Sequence, residues 1–275
     1  MLTQLVTDIG SIWSKYGTVY LTGIGNTLIL SLVATLIGCV IGFICGILQT
    51  IPCGPGDRFS KRVLLKAVRG VIRAYVEVFR GTPMILQAVF IYYGMPYFFG
   101  VTFKDIWTVS ILVVSVNTGA YMAESVRGGI MSIDPGQFEG AKAIGMNHFQ
   151  TMLYIVLPQT LRNIMPQIGN NYIINVKDTS VMFIIGFQDF FAVHKMVSGA
   201  VFKYFPSAFL EMGGYLILTL LASFLLRKLE KKLSGSGNYE LVNTDQLVLT
   251  AGTYSYPGKA PYEEKSRDYR KEDQP

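Results

Sequence analysis

The chain has 275 residues, of which 51% are hydrophobic and only 15% charged, well below the roughly 25% charged residues of soluble domains. Apolar runs long enough to cross a bilayer mark a polytopic membrane protein and exclude an ordinary soluble domain. The net charge of +6 does not point to nucleic acid, because the cations sit at the ends of apolar runs, where they signal membrane topology.

The expected architecture is an all-α membrane domain over residues 1–233, with five transmembrane helices at about 17–50, 67–97, 106–127, 162–187 and 207–227. The first span is the clearest, since no charge occurs between Gly17 and Gly56. Ala34, Gly38, Gly42 and Gly46 recur every fourth position and give it one face of small residues, which lets another helix approach closely. Cys39 and Cys45 lie in this run and Cys53 in the loop after it, an arrangement that suits reduced thiols rather than disulfides. The first 20 residues carry Lys15 as their only cation, so a cleavable signal peptide is not expected.

Pro52, Gly54, Pro55 and Gly56 end the first span, and Arg58, Lys61, Arg62 and Lys66 follow. The second span holds Arg73, Glu77 and Arg80 on one face, spaced to pair with one another, and Gly81-Thr82-Pro83 disturbs the helix beyond them. The third span carries Asn117 inside and Glu124 and Arg127 at its end. Ten Lys/Arg (58, 61, 62, 66, 127, 142, 227, 228, 231, 232) lie in loops on one side and four (15, 104, 195, 203) on the other. The positive-inside rule then places the N-terminus outside and the C-terminus in the cytoplasm. Residues 234–275, rich in Tyr and in both signs of charge, read as a largely disordered cytoplasmic tail.

Between the third and fourth spans lies "EGAKAIGMNHFQTMLYIVLP", residues 139–158. Asp134-Pro135-Gly136-Gln137 reads as a helix start, with an Asp cap, Pro at the first helical position and Gln at the third. Gly145 suits the residue just past that helix. Asn147 with Gln150 opens a second helix, which Pro158 disturbs. Two short cytoplasmic helices over 135–157, bent at Gly145, are therefore expected, either packing on their own chain or presented to another protein.

The spacing of this stretch is similar to a known signature. Glu139-Gly140-Ala141, then Gly145, then Ile155-Val156-Leu157-Pro158 resembles the E-A-A, three residues, G, nine residues, I-x-L-P loop of membrane subunits of ABC importers. Gly140 in place of the first Ala is the one departure. "YLTGIGNTLILSL" (20–32), "YVEVFRGTPMILQ" (75–87), "GAYMAESVRGGI" (119–130) and "NVKDTSV" (175–181) resemble the polar amino acid permease branch. The resemblance covers about residues 17–232.

It implies a multi-pass cytoplasmic-membrane permease that moves polar amino acids by alternating access. In it the 139–158 stretch would be the coupling helix, with Glu139, Gly140, Ala141, Gly145 and Pro158 as its ATPase-coupling residues and Glu139, Ala141 and Gly145 in contact with the ATP-binding subunit. It implies two copies of a cytoplasmic ATP-binding subunit, which bind ATP and Mg; a second permease subunit, as homodimer or heterodimer; and an extracellular or periplasmic amino-acid-binding protein. No G-x-x-x-x-G-K-[ST] occurs in the chain, so ATP hydrolysis falls to the partner. The two histidines, His148 and His194, are far apart in sequence and suggest no metal site; no cofactor, nucleic acid or enzymatic activity is expected of this chain.

A zwitterionic substrate needs donors for its carboxylate and acceptors for its ammonium group. Lys177 and Asp178 fall at the middle of the fourth span, followed by Thr179 and Ser180. A charge at that depth costs about 2.5–3.5 kcal/mol on insertion scales, so it faces a cavity or a partner. Neighbouring residues point about 100° apart, so Lys177 and Asp178 share a direction only if the helix breaks there. Glu77, Arg80, Gln87 and Asn117 complete the candidate pathway. The alternative is a gradient-driven secondary transporter or channel using the Lys177/Asp178 pair as a relay.

Overall fold

The structure, a computed structural model, describes residues 2–54 and 56–234, and these form helices with no strand among them. The tail at 235–275 lies outside the described residues. Helix α1, Leu2–Thr50, is one rod of 49 residues, about 74 Å long at 1.5 Å per residue. It begins well before the apolar run that marks the first span; in its first four turns Ile12 is buried and Tyr16 packs beside it against later helices, while Val6 and Trp13 are exposed.

Three clusters lie along α1. Near its start, Ile12 and Tyr20 pack with Phe190, Val193 and Val197 of α9, Phe190–Val201. At its middle, Leu30 and Ala34 meet Val109, Val113 and Val114 of α5, Ile106–Met131. Towards its end, Cys39, Phe43 and Ile47 pack on Met122, Val126 and Ile164, the last from α8, Leu157–Asp178.

The small-residue face of α1 meets α5. A Cβ built on Gly38 would lie 2.7 Å from Thr118 Cβ, one on Gly42 2.3 Å from Met122 Cβ, and one on Gly46 2.6 Å from Val126 Cγ1. The contacts advance by four residues on both helices, so α1 and α5 run parallel in close register. A buried polar group beside the seam ties in a third helix: the Asn175 side-chain amide donates to Thr35 Oγ1 at 2.8 Å and to Thr118 Oγ1 at 2.9 Å.

The predicted second span takes a different form. Helix α2, Phe59–Gly81, is amphipathic, ends at the Thr82-Pro83 break, and leaves the apolar part to Met84–Phe99. That part comprises α3, Met84–Val89, a π-helical turn at Phe90–Gly94 and α4, Met95–Phe99. Arg73, Glu77 and Arg80 do not form the expected pairs within α2. Arg80 is drawn across to Glu124 of α5, which also lies 3.9 Å from Arg127.

The fourth predicted span also differs. Helix α8 tightens after Asp178 into a 3-10 helix, Thr179–Ile185, Gly186 takes a left-handed φ of 90°, and α9 departs at 55°. Asp189 caps α9 by accepting from Ala192 N–H at 2.9 Å. Helix α10, Tyr204–Ser234, closes the described fold. Its Ser207 hydroxyl sits 2.6 Å from Tyr20 Oη of α1 and 2.8 Å from His194 Nδ1 of α9. Among the described residues, three helices are long and apolar enough to cross a membrane, and four if the bent pair is one span.

Candidate functional site

Two places merit description: a polar cavity among the helices and an exposed helix pair between α5 and α8.

The cavity, of about 460 Å³, is lined by Arg80, Gly81, Thr82, Pro83 and Met84 at the α2–α3 break, by Asn117, Thr118 and Tyr121 of α5, and by Asn171, Ile174, Asn175 and Asp178 of α8. Local chemistry explains each wall. Pro83 lacks an N–H and disfavours helix before it, so α2 stops. Gln87 then clamps the gap: its amide donates to the Phe79 and Thr82 carbonyls, both at 2.9 Å. Its side-chain oxygen accepts from Asn117 Nδ2 at 3.0 Å, and Asn117 Nδ2 also donates to Phe79 O at 3.2 Å. Arg80, pinned by Glu124, stands 5.3 Å over the Tyr121 ring, a cation–π distance.

Arg80, Asn117 and Asp178 of the sequence-predicted pathway residues therefore come together on one wall system. Gln87 is buried behind the break and holds it. Glu77 is exposed on α2 and lies outside the lining. Lys177 and Asp178 part company: Asp178 lines the cavity and Lys177 is exposed outside it. The helix does change at this point, but the 3-10 turns begin at Thr179, too late to bring Lys177 round. Thr179 is buried and donates to the Val176 carbonyl at 3.1 Å, and Ser180 is half-buried; neither lines the cavity. Sequence reasoning missed Thr118, Tyr121, Asn171 and Asn175. Asn171 and Asn175, four residues apart in α8 on the side of Asp178, carried a usable signal.

The second place is the stretch Pro135–Val156. Helix α6, Pro135–Ala143, is capped by Asp134, which accepts from Gly136 N–H at 2.6 Å. It ends in a Schellman turn: Gly145 N–H donates to the Lys142 carbonyl and Met146 N–H to the Ala141 carbonyl, both at 3.0 Å. Gly145 has a φ of 81°, a left-handed value natural to glycine. Helix α7, His148–Thr151, opens with a reciprocal capping box between Asn147 and Gln150, both bonds at 2.9 Å.

The expected end of this helix near Leu157 is not found. The chain passes through a π-helical turn, Met152–Val156, straight into α8, which takes Pro158 in its first turn. The wider register absorbs the hydrogen bond that Pro158 cannot donate. Glu139, Gly140, Gly145 and Pro158 are exposed, whereas Ala141 is buried in its own chain; it seats α6 and offers no surface. Ile144 and Phe149, more than 70% exposed on either side of the bend, were not singled out. Large apolar residues flanking a turn glycine in an otherwise polar stretch were the available signal.

An all-helical multi-pass bundle with a polar cavity among its helices and a bent, surface-presented helix pair has the architecture of a membrane permease. The chain belongs to the family described as the binding-protein-dependent transport system inner membrane component, whose pattern matches residues 38–235. It is 32% identical over 226 residues to the glutamine transport system permease protein GlnP of Escherichia coli K12, covering 82% of this chain and 97% of that one. It is 34% identical over 207 residues to a putative glutamine transport system permease protein of Rickettsia felis, covering 75% and 89%. Among solved structures, an amino acid ABC transporter crystallised with histidines matches with a TM-score of 0.69 at 30% identity, over 80% of this chain and 96% of that one. The methionine ABC transporter MetNI, in an inward-facing form, matches with a TM-score of 0.64 at 19% identity, over 80% and 99%; at that identity the likeness concerns the fold.

Proposed function

We propose that the chain is the membrane-spanning subunit of an ATP-driven importer for polar amino acids. It crosses the cytoplasmic membrane five times, with its N-terminus outside and its C-terminus in the cytoplasm. The observation that carries the reading is the α6–α7 pair. Its capped, Schellman-bent geometry holds Glu139, Ile144, Gly145 and Phe149 out from the bundle, as a knob for a groove on another protein. A cytoplasmic ATP-binding subunit, in two copies, is the occupant; it binds ATP and Mg, and its closure reaches the bundle through the continuous α7–α8 rod. A second permease subunit completes the path, and an external binding protein delivers the substrate.

Arg80 and Asp178, both lining the cavity, present a cation and an anion to a zwitterion, and Asn117, Asn171 and Asn175 supply amide donors and acceptors. Such charges are costly inside a bilayer and are kept where they face water, a partner or a ligand.

Mild-detergent purification from native membranes, with mass spectrometry of the companions, tests the reading. An ATP-binding subunit should accompany the wild-type chain and be lost with Gly145→Pro, a variant that still inserts but cannot adopt the left-handed turn. A chain that purifies alone and transports on an ion gradient would overturn it in favour of a secondary carrier.

A further inference from the structure

Helix α2 has a feature that the transport reading does not use. Successive helical residues turn by about 100°, so Arg58, at its N-cap, and Arg62, Lys66, Arg69 and Arg73 fall within an arc of about 80°. On the opposite side Leu64, Val71 and Val78 are exposed, with Val63 beside them, and Phe59, 82% exposed, lies nearer the edge of the cationic arc. Only Leu65 and Ile72 of this helix are buried.

The depth of this helix is fixed by two contacts. The Arg69 guanidinium donates to the carbonyl of Ile51, just past the end of α1, and Tyr75 Oη donates to Val116 O of α5 at 2.6 Å. The part after Arg69 therefore runs back among the spanning helices. The ten residues before it, Phe59–Val68, about 15 Å long at 1.5 Å per residue, form an overhang ahead of that contact.

Little neutralises this overhang. Asp57 is its nearby carboxylate and is engaged by Lys61 at 2.7 Å; that bond and the Gly54 N–H hold its carboxyl below the usual carboxylate range. Among the described residues Arg58, Lys66 and Arg73 make no ion pair. A helix with an exposed apolar face, an opposed cationic face and a position at the end of a membrane span suits the bilayer interface, where cations attract anionic headgroups.

We propose that the first three turns of α2 lie in the membrane interface and bind anionic phospholipid headgroups. The apolar side, with Val63 and Leu64, enters the acyl boundary, and Arg58 and Lys66 hold the phosphates. The occupant is lipid because the face combines uniform positive charge with an apolar side that stays exposed among the described residues. The inference needs only that the chain spans the membrane, not that it imports anything.

The test uses the full chain with whatever subunits accompany it, exchanged into detergent with an equimolar mixture of phosphatidylglycerol and phosphatidylethanolamine, and reads the lipid retained by native mass spectrometry. The wild type should retain phosphatidylglycerol in at least tenfold preference, falling as salt is raised from 50 to 500 mM. Each cation near an anionic surface contributes about fivefold, so Arg58→Gln/Lys66→Gln should abolish the preference, while Arg58→Lys should keep it. Equal retention of both lipids by the wild type, or a preference unchanged by salt and by the double variant, would overturn the proposal. So would a photo-crosslinker at Val63 that captures a second copy or another protein instead of lipid. Because no step reads uptake, its failure is separate from any failure of the importer reading.

Discussion

Arg80 shows how one side chain ties the cavity to its support. It lines the cavity, pairs with Glu124 one helix away and stands over Tyr121. Arg80 and Glu124 are each about two-fifths exposed, so the pair is worth little as a staple and more as an orienting device. Arg80→Gln should lower uptake by at least tenfold with insertion unchanged, and Arg80→Glu/Glu124→Arg should restore part of it; radiolabelled uptake in proteoliposomes decides. If the swap restores nothing, the cation is needed at position 80 itself. The sequence offered Arg73, Glu77 and Arg80 as a local trio because i, i+4 and i+7 are the distances a single helix exposes. The real partner depends on how α2 and α5 dock, which no local spacing encodes. Asp178 was legible as an anion at mid-span, but its parting from Lys177 was not, since that turns on where the α-helix gives way to the 3-10 turns.

At the scale of elements, the α1–α5 seam makes a sharp prediction. The Gly42→Ala methyl would press on Met122, whose Cβ and backbone lie under 3 Å away, so it should cost about 1–3 kcal/mol through overpacking. Gly70→Ala, in open space on α2, should be neutral or slightly stabilising, as alanine suits a helix interior better than glycine. Thermal unfolding of both variants in detergent checks the pair; equal losses would mean the seam is loose. In the exposed helix pair, Asn147→Ala removes the capping box and should cost about 1 kcal/mol, read as weaker capture of the ATP-binding subunit. Much here was legible, because caps, turn glycines and four-residue glycine spacing are written within a few residues of where they act. The break-up of the second and fourth spans was less so. Hydropathy averages over about 20 residues and does not see that Gln87 refills a gap after Pro83, or that a π-helical turn carries the chain smoothly past Pro158. The first four turns of α1 were missed for a related reason: Ile12 and Tyr16 pack there with residues of α9, but Asp8, Lys15 and the polar residues between them interrupt the apolar run.

The orientation of the whole molecule can be read with its own thiols. Cys53 is exposed just beyond α1, while Cys39 and Cys45 are partly covered within it. A membrane-impermeant maleimide should label Cys53 in inside-out vesicles and leave it unlabelled in intact cells or spheroplasts, with Cys39 and Cys45 unreactive in both. Labelling from the outer face would reverse the proposed topology.

The parallel seam between α1 and α5 also has a mechanical consequence. Three glycines in a row of four-residue steps, each with a neighbour where its side chain would be, make a weld rather than a bearing: neither rod can slide or roll without driving backbone into side chain. The 74 Å strut and its partner must travel as one body through any stroke that opens one mouth of the cavity and shuts the other. The give has to come from joints outside the weld, among them the Thr82-Pro83 gap held by Gln87, the π-helical turn at Met152–Val156, and the 3-10 turns with their Gly186 corner. The first borders the cavity, the second joins the exposed helix pair to α8, and the third follows directly on Asp178, a cavity-lining residue of α8.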